Sequence, residues 1–225
     1  MRYDSIRQAV FLDRPNRFIA HVLLDGETVV CHVKNTGRCR ELLTPGAQVI
    51  LSRGTNPQRR TQWDLVSVYK GTRLINMDSQ APNAIAAEYL PRLFPDLSEL
   101  RQEVTWGDSR FDLYGVRTGR PFYLEVKGVT LERDGMVYFP DAPTERGVKH
   151  LRELTKLQQS GTDAHVLFIV QMRDVIALQA NRATDPAFAD ALLQARDAGV
   201  GIHAVDCLVT EDEVVAKEKV RVEFV

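Results

Sequence analysis

Between residues 17 and 70 the apolar positions fall in short runs, "RFIAHVLL", "ETVVCHV", "AQVILSR" and "WDLVSVYK", separated by "DG", "TPG" and "RGTNPQRRTQ". Short apolar or alternating runs between turn-forming residues predict β-strands. Several in succession, without a long helix between them, predict a small barrel or sandwich. Near residue 80 the pattern changes. "APNAIAAEYLPRLF" predicts a helix ended by Pro91, which puts a domain boundary at about 75–82 and divides the chain into residues 1–80 and 81–225.

The second part mixes periods. Strands are predicted at 100–106, 109–116 and 121–131. A helix follows at 144–159, where Val148, Leu151, Leu154 and Leu157 form one apolar stripe. The continuous run "AHVLFIVQ" suits a strand buried on both faces. A further helix opens at Thr184 or Asp185 with Pro186 just inside, and Gly199 lies past its end. "GIHAVDCLV" then adds a strand. Strand, helix and buried strand in sequence predict a right-handed crossover in a mixed α/β sheet. The closing "EDEVVAKEKVRVEFV" suits either a last strand or a loose tail.

Composition narrows the function classes. The formal net charge is −1, so no global field draws nucleic acid, and any such binding needs a local patch. One exists: residues 31–60 carry Lys34, Arg38, Arg40, Arg53, Arg59 and Arg60 against the single acid Glu41, with Arg14 and Arg17 extending the set. Such clustering suits phosphate contacts made through a barrel and its loops. On the helix 144–159, Arg146 and His150 are four apart and Lys149 and Arg152 three apart, so each pair shares a helix side. "TERG" at its start offers backbone N–H groups to a phosphate. No apolar run is long enough to span a membrane, and the N-terminus lacks a signal-peptide core. Three cysteines, Cys31, Cys39 and Cys207, have no paired spacing and suit reduced thiols in a cytoplasm. Association into a homo-oligomer is left open.

The stretch "SRFDLYGVRTGRPFYLEVKGVTL" carries the most chemistry. It reads as a hairpin in which Phe111 and Leu113 share a face opposite Asp112, and Glu125 and Lys127 share a face of the second strand. A two-residue turn at Thr118-Gly119 makes Asp112 and Glu125 cross-strand partners, with Cβ atoms about 5 Å apart. Like charges so placed destabilise a sheet. A divalent cation, Mg²⁺ or Mn²⁺, offsets them, since such ions take carboxylate oxygens together with water and phosphate. Lys127, about 6.7 Å further along the strand, would then stand beside an ion and its water. Taken alone, the pattern also suits a solvent-facing hairpin whose acids are screened by Lys127 and nearby arginines.

An acid, then Glu-x-Lys in the adjacent strand, then an amphipathic helix and a buried strand resembles the core of restriction-endonuclease-like PD-(D/E)XK enzymes. The resemblance implies Asp112 and Glu125 as metal ligands and Lys127 as the motif's lysine, with a further acid from Glu88 on the preceding helix or Glu103 on the preceding strand. Gln171, ending "VLFIVQ", is a candidate to hold a water or an acid at the site. "RFIAHV", "NTG", "LLTPGAQVILS", "PN" at 82–83, "EVTWGDSRFDL", "YLEVKGVTL" and "FPDAPTERGVKHLREL", in that order, resemble the sugar fermentation stimulation protein A family from about residue 14 to 210. That resemblance implies an N-terminal OB-like barrel, a nuclease-like mixed-sheet domain with flanking helices, and DNA as partner. Departures sit in the barrel, where "HVKNTG" stands for the usual "HCPNTG" and Cys39 for a frequent Met. The expectation is a DNA-binding protein with a Mg²⁺-dependent phosphodiesterase site. The alternatives are a non-catalytic DNA-binding regulator of sugar metabolism and, from the family name alone, a protein that binds a sugar directly.

Overall fold

The computed structural model describes residues 1–35, 37–54 and 58–224; Thr36 of the "NTG" motif, Thr55, Asn56 and Pro57 of "RGTNPQRRTQ", and Val225 lie outside the described residues. Five strands, β1 (Ile6–Asn16), β2 (Ile19–Leu24), β3 (Glu27–Val33), β4 (Gln48–Arg53) and β5 (Trp63–Lys70), close in the cyclic order β1-β2-β3-β5-β4, and β6 (Arg73–Asn76) adds beside β5. This is an OB-like barrel. Its interior is filled by inward alternate residues such as Phe11, Val22, Cys31, Val49 and Leu65. The pattern of short runs does not predict β1. Only Ala9 and Phe11 of that strand are buried, and Pro15 demotes the run as a strand.

The second part begins with α1 (Ala81–Leu93), followed by β7 (Leu97–Trp106), β8 (Ser109–Arg117) and β9 (Arg120–Val129). The short pair β10 (Leu131–Arg133) and β11 (Met136–Phe139) comes next, where the sequence pattern predicts one strand to residue 131. The chain continues through α2 (Glu145–Gln159), β12 (Asp163–Val170), β13 (Ala177–Ala180), α3 (Pro186–Asp197), β14 (Gly201–Val209), β15 (Val214–Lys219) and β16 (Arg221–Glu223). The charged C-terminal stretch is therefore strand. The main sheet runs β15-β14-β12-β9-β8-β7, with β9, β12 and β14 parallel and the rest antiparallel. A second sheet runs β10-β11-β13-β16.

Helices cover both faces of the main sheet. α1 packs Ile85, Ala86 and Leu90 with Phe122, Leu124 and Val126. α2 and α3 pack Leu151, Leu154 and Leu192 with Phe111, Val166 and Phe168. α3 is capped by Asp185, one of its two predicted caps, Phe188 N–H donating to Asp185 Oδ1 (2.9 Å), and α2 is capped by Thr144, Gly147 N–H donating to its Oγ1 (3.0 Å). Pro91 does not end α1, which continues to Leu93. A proline already has the φ of a helix, and near the last turn it removes one bond, while Phe94 N–H still closes on Leu90 O (2.7 Å). Among the described residues no helix is long and apolar enough to cross a membrane.

Buried polar contacts join the two parts. Gln171 Nε2 donates to Asn76 Oδ1 (2.7 Å) and Asp78 O (3.0 Å). Glu132 meets Lys70 (2.6 Å) and Arg73 (3.0 Å). Burial pushes its carboxyl up, and the Lys70 hydrogen bond, the Gly135 N–H and the charges of Lys70 and Arg73 outweigh that and hold it below the usual range.

Candidate active site

The hairpin β8–β9 turns on Thr118 and Gly119, both at positive φ (49° and 76°), as a two-residue type I′ turn requires. Its ladder pairs Arg117 with Arg120 and continues to Leu113 with Leu124. The next step would oppose Asp112 and Glu125, and there the ladder opens. Val126 N–H donates instead to Asp112 Oδ2 (2.8 Å), so a carboxylate stands where a main-chain carbonyl would. The pleat is broken at this point. Phe111 packs toward α2, its ring 5.6 Å from Tyr123 and 5.9 Å from His150, whereas Leu113 packs with Phe122 and Leu124 on the α1 side. Phe111 and Leu113 therefore do not share a face.

Glu125 lies on the central strand β9 and is 3% exposed. Lys127 Nζ donates to its Oε1 (2.5 Å), and His150 Nδ1 from α2 reaches the same oxygen. Arg146 Nε donates to His150 Nε2 (3.4 Å), so Nδ1 carries the proton given to Glu125. Glu125 Oε2 is buried and has no hydrogen-bond partner among the described residues. Burial pushes the Glu125 carboxyl up, but the His150 hydrogen bond and the Lys127 charge outweigh it and hold it below the usual range. Asp112 shifts the other way. Burial and the charge of Glu125 raise it, against the Val126 N–H and Asn83.

Two adjoining carboxylates of unequal acidity, one with a bare buried oxygen, suit a hard cation. Each Asp112 oxygen holds one donor and keeps a lone pair. Among the described residues no cluster of three or more His, Cys, Asp or Glu side chains forms a ready cage. A cation here would complete its shell with main-chain carbonyl, water or phosphate oxygens, the Mg²⁺-like habit.

The other predicted acids are elsewhere. Glu88 is exposed and pairs with the N-terminal amine of Met1 (2.7 Å). Glu103 is exposed on β7 and faces Arg110 (3.6 Å). Gln171 meets neither carboxylate; it is 2% exposed and tied to the barrel. α1 instead brings Asn83, whose Nδ2 donates to Asp112 Oδ1 (2.9 Å). The "PN" at the helix start was its only signal. His150, expected among the nucleic-acid contacts, is buried against Glu125 and has no outward face. Arg146 and Lys149 are exposed on α2, Lys149 donating to Asp108 O (2.9 Å).

All but one of the predicted basic residues of the barrel line one of two grooves. One, of about 490 Å³, is lined by Arg17, Arg38 and Arg40, which are exposed and enter no ion pair among the described residues. Arg14 braces its floor by donating to the carbonyls of Arg17 (2.7 Å), Asn35 (2.6 Å), Gly37 (2.9 Å) and Arg38 (2.9 Å). The other, of about 440 Å³, is lined by Lys34, Arg53 and Arg59. There Lys34 pairs with the buried Asp78 (2.8 Å), and Arg59 forks onto Asp64 (2.9 and 2.5 Å). Burial pushes Asp64 up, and Arg59 and His32 outweigh it, leaving it below the usual range. Arg60 is exposed and lines neither groove.

Comparison with known proteins agrees with this architecture. Residues 12–77 match the family described as the SfsA N-terminal OB domain, and residues 80–213 match the sugar fermentation stimulation protein RE domain. A sugar fermentation stimulation protein homolog of Desulfitobacterium hafniense (strain Y51) is 53% identical over 226 residues, covering 100% of this chain and 99% of the relative. The homolog of Clostridium beijerinckii is 48% identical over 224 residues, covering 99% of each. Among solved structures, Pyrococcus furiosus SfsA in complex with Ca²⁺ matches with a TM-score of 0.88 at 26% identity, covering 99% of this chain and 98% of that one.

Proposed function

The chain belongs to the sugar fermentation stimulation protein family, and on that premise we propose that it is a cytoplasmic DNA-binding protein with a metal-dependent phosphodiesterase centre. In this reading residues 1–80 grip the strand and residues 81–225 present Asp112, Glu125 and Lys127. The observation that carries it is the bare buried Oε2 of Glu125, on the strand next to Asp112 and within the reach of one lysine. The Ca²⁺ held by the Pyrococcus relative has the same preference for oxygen ligands. Three buried, unpaired cysteines suit a reducing compartment.

A divalent cation, Mg²⁺ or Mn²⁺, held by Asp112 and Glu125 would acidify a water and neutralise charge on the phosphate under attack. The protein's own groups do the positioning. His150 and Lys127 hold Glu125 by occupying Oε1, which leaves Oε2 without a partner and free to take a ligand. Asn83 and the Val126 N–H hold the Asp112 carboxylate in one orientation. Lys127 balances the second negative charge and stands where it can meet a phosphate oxygen. Arg17, Arg38 and Arg40 would follow the backbone across the barrel.

The test combines calorimetric Mn²⁺ binding with cleavage of labelled single- and double-stranded DNA and RNA. Asp112→Asn should abolish Mn²⁺ binding, and Glu125→Gln should abolish cleavage while salt-dependent DNA binding persists. DNA binding without cleavage in the unmodified protein would favour the non-catalytic regulator.

A further inference from the structure

A cavity of about 330 Å³ lies between the two parts of the molecule. It is lined by Gly128, three residues and so about 10 Å along β9 from Glu125, and neither carboxylate of the pair lines it. Its floor is Gly128, the residue after Lys127 on β9; its far wall is the segment from Tyr138 to Thr144; its roof is Asn35, Gly37 and Ser79 of the barrel. A side chain on Gly128 would come within 2.7 Å of both Gln171 Oε1 and Pro82 Cγ, so bare backbone is needed there. The volume suits a small ligand pocket.

The lining is chemically particular. Tyr138, Pro140 and Pro143 offer apolar surface, whereas the Phe139 ring packs edge-on against Phe168 (5.6 Å) and Phe188 (5.1 Å) in the core. Asp141 is the single charged lining residue, which disfavours a phosphate inside. The Asp141 carboxylate and the Tyr138 hydroxyl make no hydrogen bond among the described residues. Gln171 adds a buried acceptor whose orientation is fixed by its neighbours. Asp78 O can only accept, so the amide nitrogen must face it. Asn76 in turn donates its own amide nitrogen to Val66 O (2.9 Å), so it presents its oxygen to Gln171. Gln171 Oε1 is thereby turned toward Gly128 and the cavity, with no donor of its own among the described residues.

We infer that this cavity receives one nucleobase of the bound strand, turned out of its stack near the phosphodiester at Asp112 and Glu125, and that it favours bases carrying an exocyclic amino group. The inference rests on the nucleic-acid reading above and adds the selectivity of the site. The free acceptors, Gln171 Oε1 and Asp141, match an amino donor. Tyr138, with Pro140 and Pro143, supplies the apolar contact that a flipped base requires.

The experiment uses the full chain and two single-stranded decamers, of dC and of dT. They share a backbone and differ where cytosine carries a 4-amino group and thymine a 4-oxo group. Affinity is read by fluorescence anisotropy at pH 8 without divalent cations, together with its salt dependence. The dC decamer should bind about tenfold more tightly, the discrimination typical of a good base-edge contact. Asp141→Asn, an isosteric change at an exposed residue, should bring the two decamers toward equal affinity, as should Tyr138→Ala. Equal affinities in the unmodified protein, or a preference that survives both substitutions, would overturn this inference alone. Failure to bind either decamer would overturn it together with the reading on which it rests.

Discussion

Replacing Arg17, Arg38 and Arg40 together by alanine tests the proposal that the barrel meets a nucleic-acid backbone through this groove. These three side chains line one groove, are exposed and have no ion-pair partner among the described residues, so each is free to displace a condensed counterion from a phosphate. For single-stranded DNA each phosphate neutralised contributes about 0.7 to the slope of log affinity against log salt, so losing three should flatten the slope by about 2. Between 50 and 200 mM salt the unmodified protein should then lose about twentyfold more affinity than the triple variant. Arg59→Gln in the other groove is the control. Arg59 is forked onto Asp64 and burial, with that hydrogen bond, leaves it little to offer a phosphate, so its loss should leave the slope nearly unchanged. The assay is anisotropy titration of a labelled oligonucleotide across that salt range. An unchanged slope in the triple variant, or a flattening of about 0.7 in Arg59→Gln, the full share of one free arginine, would refute the division of the basic residues into free and neutralised sets.

Three further outcomes follow from the geometry. Glu125→Gln leaves the Lys127 ammonium, mostly buried, without its counter-charge, and should lower unfolding free energy in urea by about 3 kcal/mol. Gly128→Ala, with its new carbon 2.7 Å from Gln171 and Pro82, should cost about 1–3 kcal/mol in the same titration, and a neutral result would mean that helix α1 and Gln171 yield freely. His203 is pushed down to about 4, chiefly by burial and then by the neighbouring charges of His165, Lys219 and Arg117, against Asp163. Because the unfolded chain binds this proton near pH 6.5 and the folded chain only near 4, stability falls as pH drops through that window. Between pH 7 and 5 the loss should be about 2 kcal/mol, and His203→Gln should remove that part of the pH dependence.

The hairpin was legible because its determinants are local. Thr118-Gly119 fixes the turn, the turn fixes the register, and the register brings Asp112 toward Glu125. α2 was equally plain, its apolar stripe lying within one segment. What escaped depends on partners distant in sequence. Alternation assumes an unbroken pleat, and only the folded chain reveals that Val126 takes Asp112 in place of a strand neighbour, sending Phe111 and Leu113 to opposite sides. A basic cluster looks uniform until Asp78 and Asp64 neutralise Lys34 and Arg59. An acid at Glu88 sits on the right helix, yet the first turn, with Asn83, faces the site while Glu88 faces the chain's own N-terminus. β1 was hidden because its charged C-terminal end and Pro15 mask the few buried positions that define it.

The buried ties between barrel and sheet domain bear on how a strand would be accommodated. Gln171 is anchored to Asn76 and Asp78, and Glu132 to Lys70 and Arg73, so swinging one part away from the other would strip partners from polar groups with little water to replace them. The molecule is thus a fixed gauge rather than a pair of jaws: the gap between its parts is set before anything arrives. Whatever binds must bring the compliance itself. A strand that bends and unstacks easily would meet that demand, and a stiff regular duplex would have to be deformed first.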